Sequence, residues 1–466
     1  MDLRAAYSNN SPKLAADPTD DRFVVMANRL DAPDFGCALQ VSGDGGSTWL
    51  SAQPVPVLPP GADKCYAAEV AFDGSGTLHY LFVGLEGSGN QPMGAFLSSS
   101  TDRAVTFGPP RQVLGPLNFG VRMAVDPTVG ELGRMHLVWL NATSDPPLGG
   151  FGPPPNPIMA TYSDDGGATF SDPLQVSDPD RELVVAPALA LGPDRRVYVG
   201  YYDLGDDVID YRGLEGAIWS GTWSVVMATS LDGGRRFGPG VVVDDGVVPD
   251  ERVMLIFTMP PPSLAAGPDR VCAAWTDARH GDADALLRCS RTDGASWEEV
   301  RRLNDDPVGN GRDQYLPAVA VSPGGRIDAV FYDRRADPEN LRSHVSFTFS
   351  GDGGRHFVPN LMLTEDPSDS RIGQRYVNVS ARGKVEFGAR LGLLSTDDRA
   401  VAAWPDTRNA NAGTTDQALF SAVVDIPRAG LPRWPRFLGG ALAAAGLAAL
   451  ALAAGGARRR GRREVS

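Results

Sequence analysis

The chain has 466 residues, 42% of them hydrophobic, and a formal charge of −14. The acidity is sharper than that figure, because residues 428–466 hold eight Arg and one Glu, leaving 35 basic and 56 acidic residues before them, a net of −21. A surface of that sign argues against nucleic-acid binding, which needs a basic footprint. The 54 Gly and 38 Pro fit many short strands joined by turns, and no stretch before residue 425 has the period of a long amphipathic helix, so an all-β fold is expected.

In chain order, Met1 to Asn10 is short and polar and lacks the apolar region of an export signal. A repeating unit of strand, tight turn and strand follows. Its first strand reads Pro12 to Pro18 (PKLAADP), Ala68 to Asp73 (AEVAFD), Val121 to Pro127 (VRMAVDP), Pro187 to Pro193 (PALALGP), Pro262 to Pro268 (PSLAAGP), Pro317 to Pro323 (PAVAVSP) and Ala389 to Ser395. Small residues suit strands crowded near an axis, and the Pro/Gly/Asp clusters after them are turn signals. The second strand is Phe23 to Asn28, Leu78 to Val83, Met135 to Trp139, Val197 to Tyr202, Val271 to Trp275, Ile327 to Tyr332 and Ala400 to Trp404.

Six of the seven units then carry a box of the form S-x-D-x-G-x-T-W/F. It starts at Ser42 (SGDGGSTW), Ser100 (STDRAVTF), Ser163 (SDDGGATF), Ser230 (SLDGGRRF), Ser290 (SRTDGASW) and Ser350 (SGDGGRHF). The Asp (Asp44, Asp102, Asp165, Asp232, Asp352) can accept several backbone N–H bonds within one turn, and the Gly can take positive φ. The final ring can pack between neighbouring sheets. The box is thus a hairpin clamp rather than a catalytic motif. Copies spaced 58–67 residues apart are the mark of a repeat architecture. The seventh unit has a third strand at Ala418 to Val424 and no box. A seven-bladed propeller over residues 1–426, closed by an N-terminal strand at Leu3 to Ser8, accounts for this; a six-bladed ring with a stray module is the alternative.

Beyond the repeats, 427–436 is a Pro/Arg-rich linker, and 437–457 is 21 uncharged residues, long enough to cross a bilayer. Arg458, Arg459, Arg460, Arg462 and Arg463 follow, so the positive-inside rule expects 458–466 in the cytoplasm and the propeller outside, with its export signal missing from this sequence. A tail-anchored cytosolic propeller and a processed sorting signal are the rival readings. Cys272 and Cys289 fall on consecutive strands, and Cys37 and Cys65 lie in the first repeat and just before the second; two disulfides in an oxidising compartment are expected.

The box resembles the Asp-box (BNR) repeats of the sialidase superfamily, over roughly residues 1–425. The resemblance implies the propeller fold more strongly than an activity, since such boxes also occur in other glycosidases and in sorting receptors. Sialidases typically use an Arg triad for the substrate carboxylate, a Tyr nucleophile aided by a Glu, an Asp acid/base and an F/Y-R-I-P motif. That motif is absent; Asn28-Arg29-Leu30-Asp31 is only superficially similar.

In a four-stranded meander the boxes share a face with the turns joining strands one and two. The other face carries the longer, more varied links, where a ligand site is expected. Three second strands end on that face with aromatic-x-Asp-x-Arg: Asp277 with Arg279, Asp333 with Arg335, and Asp406 with Arg408. Residues two apart share a side of a strand, so each Asp lies beside its Arg. The arginines could gather a ligand carboxylate or sulfate, or each could be neutralised by its own Asp as a repeated structural pair. Tyr376 with Glu386 is a candidate nucleophile and helper, and Tyr315 a further candidate; rim packing is the plainer role for both tyrosines. His79, His136, His280, His344 and His356 form no metal-binding spacing, and neither a metal nor a cofactor is expected. Asp203 to Asp210 and Asn304 to Asp306 follow no known Ca²⁺-loop spacing and read as solvated turns. The expected function is a membrane-anchored, extracytoplasmic propeller binding glycans or surface proteins; the alternative is a sialidase-like exo-glycosidase with a divergent site.

Overall fold

The computed structural model describes residues 8–426, except 32–33, 51–52, 55–56, 143–152, 215–216, 218, 251–258, 374–387 and 411–415, together with 464–465. Seven antiparallel sheets follow one another, at 9–54, 64–114, 118–175, 184–247, 263–302, 314–362 and 392–425. Each is a meander whose strands keep their sequence order. They are the blades of a seven-bladed propeller, numbered one to seven from the N-terminus.

The apolar core is a ring of inter-blade layers rather than one centre. Successive clusters join blades one and two, two and three, three to five, five and six, and six and seven. A last cluster of Leu14, Val24 and Met26 with Val401, Ala403 and Leu419 closes blade seven onto blade one. Trp49 spans the same seam, its Nε1 donating to Ser421 Oγ at 2.9 Å.

The fourth position of blade seven is taken by the two-residue strand Glu464–Val465, paired with Leu419 and Phe420. This differs from the closure expected of Leu3 to Ser8. Residues 3–7 lie outside the described residues, and Ser8 makes a single parallel bridge to Gln417.

The six boxes share one geometry despite their sequence differences. The Ser hydroxyl is buried, accepts the N–H of the fifth residue and donates to the Asp carboxylate, as in Ser163 with Gly167 and Asp165. Thr169 N and Oγ1 close the turn on the same Asp at 2.8 and 2.6 Å. These bonds, led by the Thr169 hydroxyl, hold the Asp165 carboxyl down to about 2. Where the Thr is lost, Arg236 and His356 reach the Asp with their own side chains. Where the Asp is lost, Thr292 bonds Ser296 instead. The fourth and fifth residues are left-handed in every copy, the arrangement of a type I′ hairpin. Box two does this without glycine, at Arg103 (φ 59°) and Ala104 (φ 66°).

Both expected disulfides are present. Cys272–Cys289 links directly paired strands of blade five, and Cys37–Cys65 ties blade one to blade two. The acidic links are not solvated turns. Asp207 and Asp210 are buried around the short helix Val208–Tyr211, and Asn304 and Asp306 are buried in a polar network with Asp284, Arg302 and Gln314. Among the described residues no helix is long and apolar enough to cross a membrane; residues 437–457 lie outside them.

Candidate functional site

The strand-end pairs are built alike. Each Asp oxygen accepts the backbone N–H two residues on, from Arg279, Arg335 and Arg408 at 2.9, 3.0 and 2.8 Å. This Asx-type turn stops the strand. The aromatic ring two residues earlier shares the Asp side of the strand, and Trp275 and Trp404 donate their indole N–H to it. Phe331 has no such donor, and Ser346 Oγ bonds Asp333 in its place at 2.7 Å.

Each guanidinium is engaged by its own Asp. Arg279 bonds Asp277 and Asp244, both at 2.6 Å. Arg335 is ion-paired to Asp333 at 2.6 Å, and it donates to Asp305 and Asn360. Arg408 bonds Asp406 and lies over the Phe420 ring. Burial opposes the charge on Arg279, but the two carboxylates outweigh it and raise its pKa. Tyr315 is not on a link. It is buried in the inner strand Gln314–Val321, stacked on Tyr332, with its hydroxyl 2.9 Å from Ser343 Oγ. Tyr376 and Glu386 lie outside the described residues.

A second constellation was not among the expected site residues. The inner strands of blades one, two, three, four and six each carry a bulge after their first residues. Its left-handed residue is Ser11, Ala67, Gly120, Ala186 and Leu316 respectively. Such a bulge re-aims the side chains that follow it. The next regular pair of the ladder starts with Lys13, Glu69, Arg122, Ala188 and Ala318; in blades five and seven the first pair starts with Ser263 and Gly392. One position of the repeat is therefore charged in blades one to three and small in the rest.

Arg390, just before the inner strand of blade seven, joins the charged group. It bonds Glu69 and donates to Ala68 O at 2.8 Å and Pro12 O at 3.3 Å. Arg122 Nη1 reaches the same Glu69 oxygen at 3.2 Å, and its Nε donates to Pro187 O at 3.1 Å. Groups from blades seven, one, two and three, with a carbonyl of blade four, can meet only on the ring axis. Glu69 is fully covered, whereas the Arg122 and Arg390 side chains keep 14% and 17% of their surface.

Burial works to raise the Glu69 carboxyl, but Arg390, Lys13 and Arg122 outweigh it and hold it below its usual range. Burial pulls the Lys13 ammonium down, and Arg390 and Arg122 add to this against the attraction of Glu69. Near the axis, Arg29 Nη1 donates to the Tyr66 hydroxyl at 2.5 Å, with the guanidinium over the Tyr66 ring and paired to Asp31. The signal for the axial group was in the aligned inner strands: the second column of PKLAADP, AEVAFD and VRMAVDP is Lys13, Glu69 and Arg122, against Ala188, Ser263 and Ala318 elsewhere.

No family model matches the chain, and no curated protein matches it. Solved structures do. A family PL25 ulvan lyase bound to -[GlcA(1-4)Rha3S]- superposes with a TM-score of 0.51 at 11% identity, over 92% of this chain and 96% of its own. The phage phi92 endosialidase gives 0.49 at 9% identity, over 95% and 70%. The Hadza microbial sialidase Hz136 gives 0.46 at 15% identity, over 84% and 72%. At these identities the likeness is one of fold, and the resemblance expected from the repeats holds at that level.

Proposed function

We propose that the chain is a glycan-binding propeller displayed on the outer side of a cell membrane. The observation that carries the binding reading is the fate of Arg279, Arg335 and Arg408. Each is neutralised by its own Asp, which suits a structural pair rather than a clamp on a substrate carboxylate. The two disulfides support an oxidising compartment. Purified full-length chain on an array of neutral and acidic glycans should retain a subset of them. Retention of none above blank would sink the reading.

Hydrolysis is the second reading, favoured by the Tyr66 hydroxyl held by Arg29 beside the axis. Turnover of a fluorogenic sialoside that disappears in Tyr66→Phe would establish it; the binding reading expects no turnover. Anchoring through 437–457 would put 458–466 across the bilayer from the ring. It therefore requires Glu464–Val465 to leave Leu419 and Phe420. Protease protection of a C-terminal epitope in sealed cells decides between the two arrangements.

A further inference from the structure

We propose that a cavity between blades five and six, on the face opposite the boxes, takes the free amino group of an amino sugar. The inference rests on the glycan-binding reading and narrows it to one kind of sugar unit and one place.

Three connections enclose the cavity. Asp282 comes from 278–283 in blade five, Asp313 from 303–313 between the blades, and Glu339, Asn340 and Leu341 from 334–341 in blade six. Its volume is about 300 Å³, the low end for a small-molecule site, which suits one sugar unit rather than a chain. The walls are cross-braced. Asp282 Oδ2 accepts the backbone N–H groups of Gly311 and Arg312 at 2.7 and 3.1 Å. Asp313 Oδ1 accepts Ala283 N at 3.1 Å, and Asp313 and Asn340 bond each other twice, at 2.8 and 2.9 Å. The connections hold one another in place, so a ligand need not order them.

The cavity is short of donors. Asp282 is 3% exposed, and its Oδ1 has no hydrogen-bond partner among the described residues. A buried carboxylate oxygen left so is costly, and a donor entering the cavity would offset that cost. Glu339 is exposed and lines the same space. The Asn340 amide is engaged with Asp313 through both its oxygen and its nitrogen. An ammonium supplies three N–H donors, and such charge-assisted bonds are about twice as strong as neutral ones. A carboxylate or sulfate would meet like charge here. Among the described residues no three acidic or His side chains are placed to hold a metal ion, which leaves an organic cation.

The lining also selects what carries the ammonium. Leu341 is the only apolar side chain among the described residues that line the cavity. The Lys of a protein ligand needs apolar walls for its stem. A sugar ring instead brings hydroxyls, which donate to the same acceptors.

The test is calorimetric titration of the full-length chain with glucosamine, N-acetylglucosamine, glucose and Nα-acetyl-lysinamide. Glucosamine should bind about tenfold more tightly than the other three. Asp282→Asn keeps an oxygen for Gly311 N and Arg312 N but turns the unsatisfied acceptor into a donor. It should weaken glucosamine about tenfold at an unchanged unfolding midpoint. Glu339→Lys, at an exposed position, should abolish binding by placing a cation of the chain's own at the cavity. Unaltered affinity in either variant overturns the site, as does glucose or N-acetylglucosamine bound as tightly as glucosamine. The lysine derivative bound more tightly than glucosamine overturns the saccharide occupant in favour of a protein. On the glycan array, de-N-acetylated glycans should be retained above their acetylated forms. Equal retention keeps the glycan-binding function and loses this site; retention of no glycan at all loses both.

Discussion

The box face and the axis of the ring use repetition in opposite ways. On the box face, six hairpins tolerate Ala104 for Gly, Thr292 for Asp, and Arg236 or His356 for Thr, and still make the same turn. Along the axis, one ladder position shared by all blades changes from charged to small between blade three and blade four. Agreement among the units marks what the chain needs to fold. Disagreement at a shared position marks what the ring is free to use. The strand-end Asp–Arg pairs, repeated in three blades, belong to the first kind.

The comparison can be broken or sharpened in graded steps. The largest effect is expected from Trp275→Ala, which empties a 1%-exposed site between blades and removes the indole donor to Asp277. A loss of about 3–5 kcal/mol in denaturant unfolding is expected. Next comes pH. Burial, with Arg134 beside it, pushes His136 down to about 4, while the unfolded chain titrates it at its ordinary 6.5. The native state therefore stays unprotonated where the unfolded state takes a proton. Stability should fall on acidification from 6.5 towards 4, by on the order of 3 kcal/mol for this group. His79 and His344 shift the same way, so His136→Gln should flatten the pH dependence of unfolding only in part.

Smaller effects test the boxes. Ser163→Ala leaves the Gly167 N–H without its acceptor and should cost about 1–2 kcal/mol, with matching losses at Ser42 and Ser350 if the boxes are interchangeable. Unequal losses would mean that the boxes are not equivalent. Ala104→Gly relieves a left-handed alanine and should stabilise by about 1 kcal/mol, read as a higher unfolding midpoint. At the small end, Lys13→Met should leave stability nearly unchanged or raise it slightly, because the charge it removes is disfavoured by burial.

Most of the fold was legible because its signals are local. A box names its own turn, and a Pro- or Gly-punctuated strand pair names a meander. The closure of blade seven was harder, since a strand's partner across a ring seam leaves no mark in the strand itself. The sites divided along the same line. Asp277, Asp333 and Asp406 were visible as a spaced motif, but whether each Arg meets its own Asp or a ligand depends on side-chain direction. Lys13, Glu69 and Arg122 were hidden because their convergence depends on bulges at Ser11, Ala67 and Gly120, two of them at residues with no intrinsic taste for left-handed backbone. Arg390 meets Glu69 from 321 residues away, a contact that no spacing rule encodes.

The last strand of blade seven described before the linker, Ala418–Asp425, runs antiparallel to Arg399–Asp406 and ends beside Arg399, with Ile426 N bonded to Asp398 O at 2.6 Å. The chain therefore leaves the ring from the box face. A ten-residue linker at 427–436 reaches at most about 35 Å. On a membrane-held molecule the hairpins would face the lipid headgroups like the foot of a pedestal. The opposite mouth of the axis would look outward, and a polymer arriving from outside the cell would meet it first.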